Sequence, residues 1–422
     1  MNHSSQILAT PAENGLAPVS PNDRVEYLDV LRGIALFGVL WSNLNDWYGT
    51  LEPTSVFPHL LSLTHDWLVE SRFYTLLGFL FGMGFAIQLT RAEQKGQDVR
   101  SLFYRRMLVL LGLGLVHGLL IWRGDVLTEY ALMGFVLVAY RRLQPRQLLI
   151  AAAATYLIPA YIVVIVLNRA LGLPGPISFY SPQEESIYAH GTIAQIATVR
   201  VHQYLNLGNS PFIFNRFLVL FLLGLWAYRV DLIARLRGRR RFLLFLLAAA
   251  ALCAVFGGFF YQALPRWWPT DTSGIVAWRD LRFWSPRPII RWMSEDLLTW
   301  GNAAAYAIAL LLLMSFPFWA RLLRPLAAVG RMTLTTYLTQ SLTCTTLFYS
   351  YGFGLYGRVS YAGTLAISLI VFSFQTVLSA WWLRRFRFGP AEWLWRSLAY
   401  GKIQPWRTVP VTTDQITVRT AV

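Results

Sequence analysis

The sequence predicts an all-α protein, a polytopic membrane helix bundle with about ten transmembrane helices and both termini on the cytoplasmic side. Composition leads there first: of 422 residues, 55% are hydrophobic and 14% charged, where an average soluble domain carries about 25% charged residues. The mean hydropathy is +0.45, and a soluble core of this size could not hide 27 Phe, 20 Tyr and 17 Trp. Apolar runs long enough for a bilayer core of about 30 Å then recur along the whole chain. A disordered chain, a coiled coil, a disulfide scaffold and a soluble enzyme are excluded. Helices are favoured over a barrel because each span must satisfy its own backbone in lipid.

Residues 1–24 are polar and rich in Pro and Ser, and read as a flexible cytoplasmic tail without a cleavable signal. A transmembrane helical domain follows over 25–402. Its charge-free runs are Phe73–Thr90, Met107–Trp122, Gln147–Asn168, Phe242–Pro265, Leu297–Ala320, Met332–Gly357 and Val359–Leu383. Leu28–Asn45, Val126–Tyr140 and Pro211–Tyr228 qualify with one or two ionisable residues inside. The outer loops fall at 172–210 and 265–294, and 403–422 forms a second flexible cytoplasmic tail. In the first loop Ile193, Ala197, Val201 and Leu205 make an amphipathic stripe, either an interfacial helix or one packed across the bundle mouth.

Ten spans with the N-terminus inside place 25 basic residues in cytoplasmic segments and 10 outside, as the positive-inside rule requires. Five arginines in the loop 265–294 run against it. The net charge of +16 is thereby assigned to helix ends meeting membrane lipids; no basic patch separable from the spans points to nucleic acid. Cys253 and Cys344 fall within spans and read as small packing residues. Gly78-x-x-x-Gly82 and Gly114-x-x-x-Gly118 read as close packing sites within the chain, with a homodimer as their other use. Arg72-Phe73 to Gly82 and Arg216-Phe217 to Gly224 hint at an internal repeat.

Polar groups inside spans mark candidate chemistry. Asp29 and Arg32 share a helix face near the cytoplasmic interface, either as an ion pair fixing the helix start or as a site for an anionic cofactor. Asn43 lies eleven residues beyond Arg32, and His117 eleven beyond Arg106, so the two sit at matched depth, about 16 Å up their helices. A shared polar centre is one reading; separate core groups, each satisfied locally, is the other. Asp125 and Glu129 are four apart beyond the hairpin Trp122–Asp125. They suit acid–base work or answer Arg123 and Arg72 at the surface. His59 and His65 fall in the loop before the second span, with Asp66; an exposed loop His is commonly inert. No nucleophile elbow, phosphate-cradling glycine loop, H-E-x-x-H or Cys/His zinc spacing occurs, so no metal is expected.

Several stretches carry a family resemblance: Asp29-Val-Leu-Arg-Gly-Ile-Ala-Leu-Phe-Gly, Arg72 to Phe85, His117-Gly-Leu-Leu-Ile-Trp-Arg-Gly-Asp125, Gly330 to Ser341 and Phe388-Gly-Pro-Ala-Glu-Trp-Leu-Trp-Arg-Ser-Leu. Together they resemble the YeiB-like bacterial membrane proteins, a domain of unknown function, over about residues 24–402. Thr336 stands where that family often has Asn, and Ala391 where it often has Leu. That family is in turn remotely similar to transmembrane acyltransferases such as heparan-alpha-glucosaminide N-acetyltransferase, whose first helix also places an Asn at the position of Asn43. Their catalytic His lies in the outer loop before the second span, where His59 and His65 stand here at other spacings, leaving His117 as the local candidate. The resemblance implies a multi-pass protein of the bacterial inner (plasma) membrane. It would move an acyl group from cytoplasmic acyl-CoA to an extracytoplasmic small-molecule, sugar or lipid-linked acceptor. Asp29, Arg32 and Arg106 would hold the donor, and His117 would act as base. Asn43 would stabilise the oxyanion, Asp125 would orient His117, and Arg72, Arg123 and Glu129 would meet the acceptor. The competing expectation is a transporter or lipid-handling protein without catalysis.

Overall fold

The computed structural model describes residues 26–46, 50–51, 56–94, 99–157, 182–205, 211–267 and 286–407. Both expected tails lie outside these residues except at the start of the second, as do the far half of the run Gln147–Asn168 and parts of both loops. Most of the described chain is helical; a parallel ladder of two residues per strand joins Thr50–Leu51 to Val359–Ser360, and Phe386 and Arg407 form an isolated antiparallel bridge.

Helix α1 (Glu26–Asp46) runs through the centre of the bundle and is buried on nearly every side. After α2 (Val56–Leu68) come α3 (Arg72–Gln94), α4 (Val99–Val116), α5 (Leu127–Leu137) and α6 (Pro145–Leu157). Next are α7 (Pro182–His190), α8 (Ile193–Leu205), α9 (Pro211–Arg229) and the short α10 (Leu232–Leu236). The chain closes with α11 (Arg240–Trp267), α12 (Pro286–Leu313), α13 (Pro317–Arg331), α14 (Thr333–Phe348), α15 (Tyr361–Trp382) and α16 (Pro390–Tyr400). Five helical stretches among the described residues are long and apolar enough to cross a membrane: Val56–Gln94, Arg100–Ile121, Arg240–Leu264, Ile290–Leu313 and Tyr361–Trp382. Helices α11 and α15 turn Phe245, Leu252, Phe256, Ile370, Phe374 and Val377 outward, a face that suits lipid and not water. The protein is an all-α membrane protein.

Among the other expected spans, α1 carries Asp29 and Arg32 and is enclosed by protein, and α5 and α14 are short helices of 11 and 16 residues. Helix α14 carries Thr333, Thr335, Thr336, Thr339, Thr343, Thr345 and Thr346 and buries its polar face against Gln375 of α15, whose amide donates to the Thr336 carbonyl at 3.3 Å. Glycine sets two of the closest crossings. A Cβ at Gly82 would run into the Phe221 backbone and one at Gly224 into that of Phe79, so the two look-alike segments are α3 and α9 at their mutual contact. Gly330 and Gly33 likewise press α13 against α1. The paired glycines thus work inside the chain.

Several boundaries depart from expectation. The run Leu297–Ala320 is not one helix: α12 ends at Leu313, and α13 restarts at Pro317, after an extended Phe316 (φ −101°, ψ 128°). Proline removes a donor and excludes its predecessor from the helical region. The loop 265–294 is invaded from both sides by α11 and α12. The final tail is ordered as far as residue 407, where Arg387 N donates to the Trp406 carbonyl at 3.0 Å and the Trp393 indole donates to Gln404 O at 2.8 Å. The residues before the second span form α2 and not a loop. Cys344 is buried as expected, whereas Cys253 is exposed.

Candidate functional site

Helix α4 ends in a π-turn, His117–Ile121, in which Trp122 N donates to the His117 carbonyl at 2.9 Å. The wider turn leaves carbonyls outside the ordinary ladder. Arg200 of α8 supplies them, its Nε donating to Leu119 O at 2.8 Å and one terminal nitrogen to Ile121 O at 3.2 Å. The hairpin after the turn brings Asp125 back under His117. Asp125 Oδ1 accepts from His117 Nδ1 at 2.8 Å and from Leu127 N at 3.2 Å. Its Oδ2 accepts from Thr128 N at 2.9 Å and from the Tyr204 hydroxyl at 3.4 Å. An anion ahead of a helix's first free N–H groups is favourably placed. Small residues make the approach possible: a Cβ at Gly114 would stand 2.6 Å from Thr128 N and 2.9 Å from Asp125 Oδ2, and one at Gly118 would enter the Tyr204 ring.

The His117 and Asp125 side chains are 1% and 0% exposed. With Nδ1–H given to the carboxylate, Nε2 carries the lone pair. That nitrogen is buried and has no hydrogen-bond partner among the described residues. The Tyr337 ring lies 5.1 Å from the imidazole. Its hydroxyl donates to Gly124 O at 3.2 Å and accepts from Val126 N at 3.3 Å, fixing the hairpin.

Asn43 is held by a tyrosine of α3. The Tyr74 hydroxyl donates to Asn43 Oδ1, which leaves the Asn43 amide hydrogens as donors. Tyr130 donates to the Tyr74 carbonyl at 3.4 Å. Glu129 is half-buried on α5, one turn beyond Asp125. Arg123 stacks over the Tyr188 ring at 5.2 Å. Arg72 donates to the carbonyls of Asp66, at 2.6 Å, and of Glu70, holding the corner between α2 and α3.

A cavity of about 320 Å³ approaches this centre from the other end of the bundle. Its basic mouth is formed by Arg32, Arg106, Arg331 and Arg396, with Asp29 and Glu392. Its waist is apolar, with Leu36, Leu77, Phe81, Phe85 and Met107, and its inner end is Val126, Leu127, Tyr130 and Tyr337. One aromatic ring therefore separates the cavity from His117. Arg32 pairs with Asp29 at 2.8 Å, as their spacing predicts. Arg106 lies 4.4 Å from the Trp395 ring, and the Trp395 indole donates to the Arg106 carbonyl at 2.9 Å. Glu392 clamps α16 to the start of α14, accepting from Leu334 N at 2.6 Å and Thr335 N at 3.1 Å. Burial pushes its carboxyl above the ordinary range, against the pull of the Thr335 hydroxyl and these N–H groups.

Two expectations are corrected here. His65 is not an exposed loop residue: it is 1% exposed on α2, edge-on to Trp41 and Tyr361, while His59 is exposed. The stripe on α8 is rotated by one position. Ile193 is 68% exposed, and the face packed on the π-turn is Ile196, Arg200 and Tyr204, because two polar side chains there have partners only the π-turn and hairpin provide. Arg200, Tyr204, Tyr74, Tyr337, Arg331, Glu392 and Arg396 were not singled out by sequence. All but Arg200 and Tyr204 stand inside the motifs quoted for the family resemblance.

The model of a family described as "Protein of unknown function (DUF418)" matches residues 227–402. "Uncharacterized protein YxaH" of Bacillus subtilis (strain 168) is 32% identical over 428 residues, covering 93% of this chain and 98% of its own length. The chain belongs to the DUF418 family. "Uncharacterized protein YeiB" of Escherichia coli (strain K12) is 28% identical, covering 88% of this DUF418 protein and 95% of itself. An "Uncharacterized 39.9 kDa protein in amylase 3'region" of Bacillus acidopullulyticus is also 28% identical, over 92% of this DUF418 chain.

Proposed function

We propose that this DUF418 protein is a multi-pass acyltransferase of the bacterial inner membrane, with ten crossings and both termini in the cytoplasm. It would move an acyl group from cytoplasmic acyl-CoA to an extracytoplasmic hydroxyl or amine of a sugar or lipid-linked acceptor. One observation carries the reading: a cavity with four guanidinium groups at its mouth and an apolar waist ends one ring short of a buried His–Asp pair whose Nε2 has no partner. Guanidinium groups suit the phosphates of such a donor, and the donor would supply an activated thioester carbonyl.

Within this reading each residue has one task. Arg32, Arg106, Arg331 and Arg396 hold the phosphates. Asp125 fixes the His117 tautomer and orientation. His117 Nε2 takes the acceptor proton as the acceptor oxygen or nitrogen bonds to the carbonyl carbon. It returns that proton to the sulfur as the C–S bond breaks, so the base is regenerated. The Asn43 amide, oriented by Tyr74, donates to the developing oxyanion. Arg123, Arg72 and Glu129 belong to the acceptor side.

The test is release of free thiol from a panel of labelled acyl-CoA species by the purified protein in lipid nanodiscs, with label followed into lipid and glycan extracts. The expected result is thiol release that depends on His117 and Asp125. Passage of intact label across a vesicle membrane with no thiol release from any panel member would instead establish a carrier.

A further inference from the structure

A second cavity, of about 190 Å³, shares no lining residue with the first. It opens where the start of α1, the turn from α10 to α11 and the break between α12 and α13 meet, at the same basic end of the bundle. Arg237 and Arg240 stand at its rim, and Leu243, Leu311 and Met314 line its depth. Gly238, at φ +81°, makes the left-handed turn that lets two arginines three apart flank one opening. Both are exposed, and neither is ion-paired among the described residues. The acid at the rim, Glu26, is engaged by Arg324 at 3.2 Å, so the pocket keeps a net positive face. Arg240 lies over the Phe316 ring at 5.0 Å. Beside the opening, Phe242, Phe318 and Trp319 are exposed, Phe318 by 64%.

We propose that this pocket binds the phosphodiester headgroup of an anionic phospholipid, with its acyl chains laid along Phe242, Phe318 and Trp319. Unpaired cations at the end of membrane helices recognise the phosphate. The apolar depth and the aromatic shelf choose a lipid over a free anion, which would leave both without a function. Helix α13 fits a position in the interface, because its exposed apolar residues share the helix with Arg321 and Arg324. The site stands apart from the acyl-transfer cavity, and the proposal is independent of that reading.

The experiment is native mass spectrometry of the full chain titrated with phosphatidylglycerol or phosphatidylcholine, in the presence and absence of inorganic phosphate. The expected result is retention of phosphatidylglycerol over phosphatidylcholine. Binding should weaken roughly tenfold or more in the double variant Arg237→Gln with Arg240→Gln. It should hold unchanged in Arg142→Gln with Arg146→Gln, two exposed arginines elsewhere. Equal weakening in both double variants would reduce the effect to general surface charge and overturn the site. Equal retention of the two lipids, or displacement by inorganic phosphate, would overturn the lipid assignment. The lipid-free melting temperature of Arg237→Gln with Arg240→Gln is expected to match wild type, separating lost binding from lost fold.

Discussion

Two histidines of this protein are almost completely enclosed, and each turns Nδ1 toward an aspartate. His117 meets Asp125 at 2.8 Å, whereas His65 stands 3.4 Å from Asp66. The acids differ more than the histidines do. Asp125 is fully covered and takes three further hydrogen bonds, from Leu127 N, Thr128 N and Tyr204. Asp66 is 50% exposed and is the next residue on the same helix. Adjacent residues on a helix point in different directions, so such a pair cannot be held in one geometry. The π-turn and hairpin fold an acid eight residues away directly under its imidazole. Burial of the imidazole is common to both sites; fixation of the carboxylate belongs to one.

The largest expected effect breaks or keeps that comparison. His117→Ala and Asp125→Asn are each expected to lower thiol release from the acyl donor by about 10³-fold, the scale of losing a positioned base. His65→Ala is expected to stay within about threefold per folded molecule, although its cavity lowers the melting temperature. Equal losses at both histidines, measured on well-folded protein in nanodiscs, would erase the distinction drawn from Asp66 and Asp125.

Glycine offers a second contrast on the same helix. Gly118→Ala drives a methyl into the Tyr204 ring, and overpacking of this kind costs about 1–3 kcal/mol. Gly112 has open space around its Cβ direction, so Gly112→Ala gains up to about 1 kcal/mol from helix propensity. Thermal unfolding in detergent should move in opposite directions for the two variants, with activity falling only in the first.

The reach of the sequence follows the same division. Apolar runs announced the helices that face lipid, because lipid allows no polar interruption; α11 and α15 agree with their runs within two residues at each end. Helix α12 departs, because Arg291, Glu295 and Asp296 lie inside it. There, Arg216 meets Asp296 at 2.9 Å, and the Tyr156 hydroxyl donates to the same carboxylate at 3.1 Å, so a charge-free run cannot mark where this helix starts. At the site, the spacing of Asp29 and Arg32 gave their pair. Tyr74 beside Asn43 and Tyr337 beside His117 were hidden, because Tyr in a membrane sequence reads first as an interface residue. Arg200 was hidden because the π-turn it serves leaves no mark in hydrophobic periodicity.

Arg200 supplies a smaller effect. Arg200→Met removes donors from two carbonyls of the π-turn, an expected cost of about 1–3 kcal/mol for unsatisfied buried acceptors. Activity should fall with it, because the turn that aims His117 loosens. Arg200→Gln keeps one donor and should recover part of both readings. A melting temperature and thiol-release rate equal to wild type in Arg200→Met would show that α8 merely covers the turn.

The smallest expected effect lies at the opposite end of the donor cavity, at Glu392. Burial raises the Glu392 carboxyl above its ordinary value, so the folded protein holds that proton more readily than the unfolded chain does. The stability contributed by this group is therefore fully present below the ordinary Glu range. It is lost as pH rises through that range to the raised folded value. Glu392→Gln keeps an acceptor for Leu334 N and Thr335 N but cannot titrate. Its melting temperature should match wild type in acid and exceed it slightly near neutral pH, with a flatter profile between. Glu392→Ala loses the N-terminal clamp on α14 at every pH, at about 0.5–2 kcal/mol. Parallel wild-type and Glu392→Gln profiles would mean that the carboxyl stays charged throughout, held by its N–H donors in spite of burial.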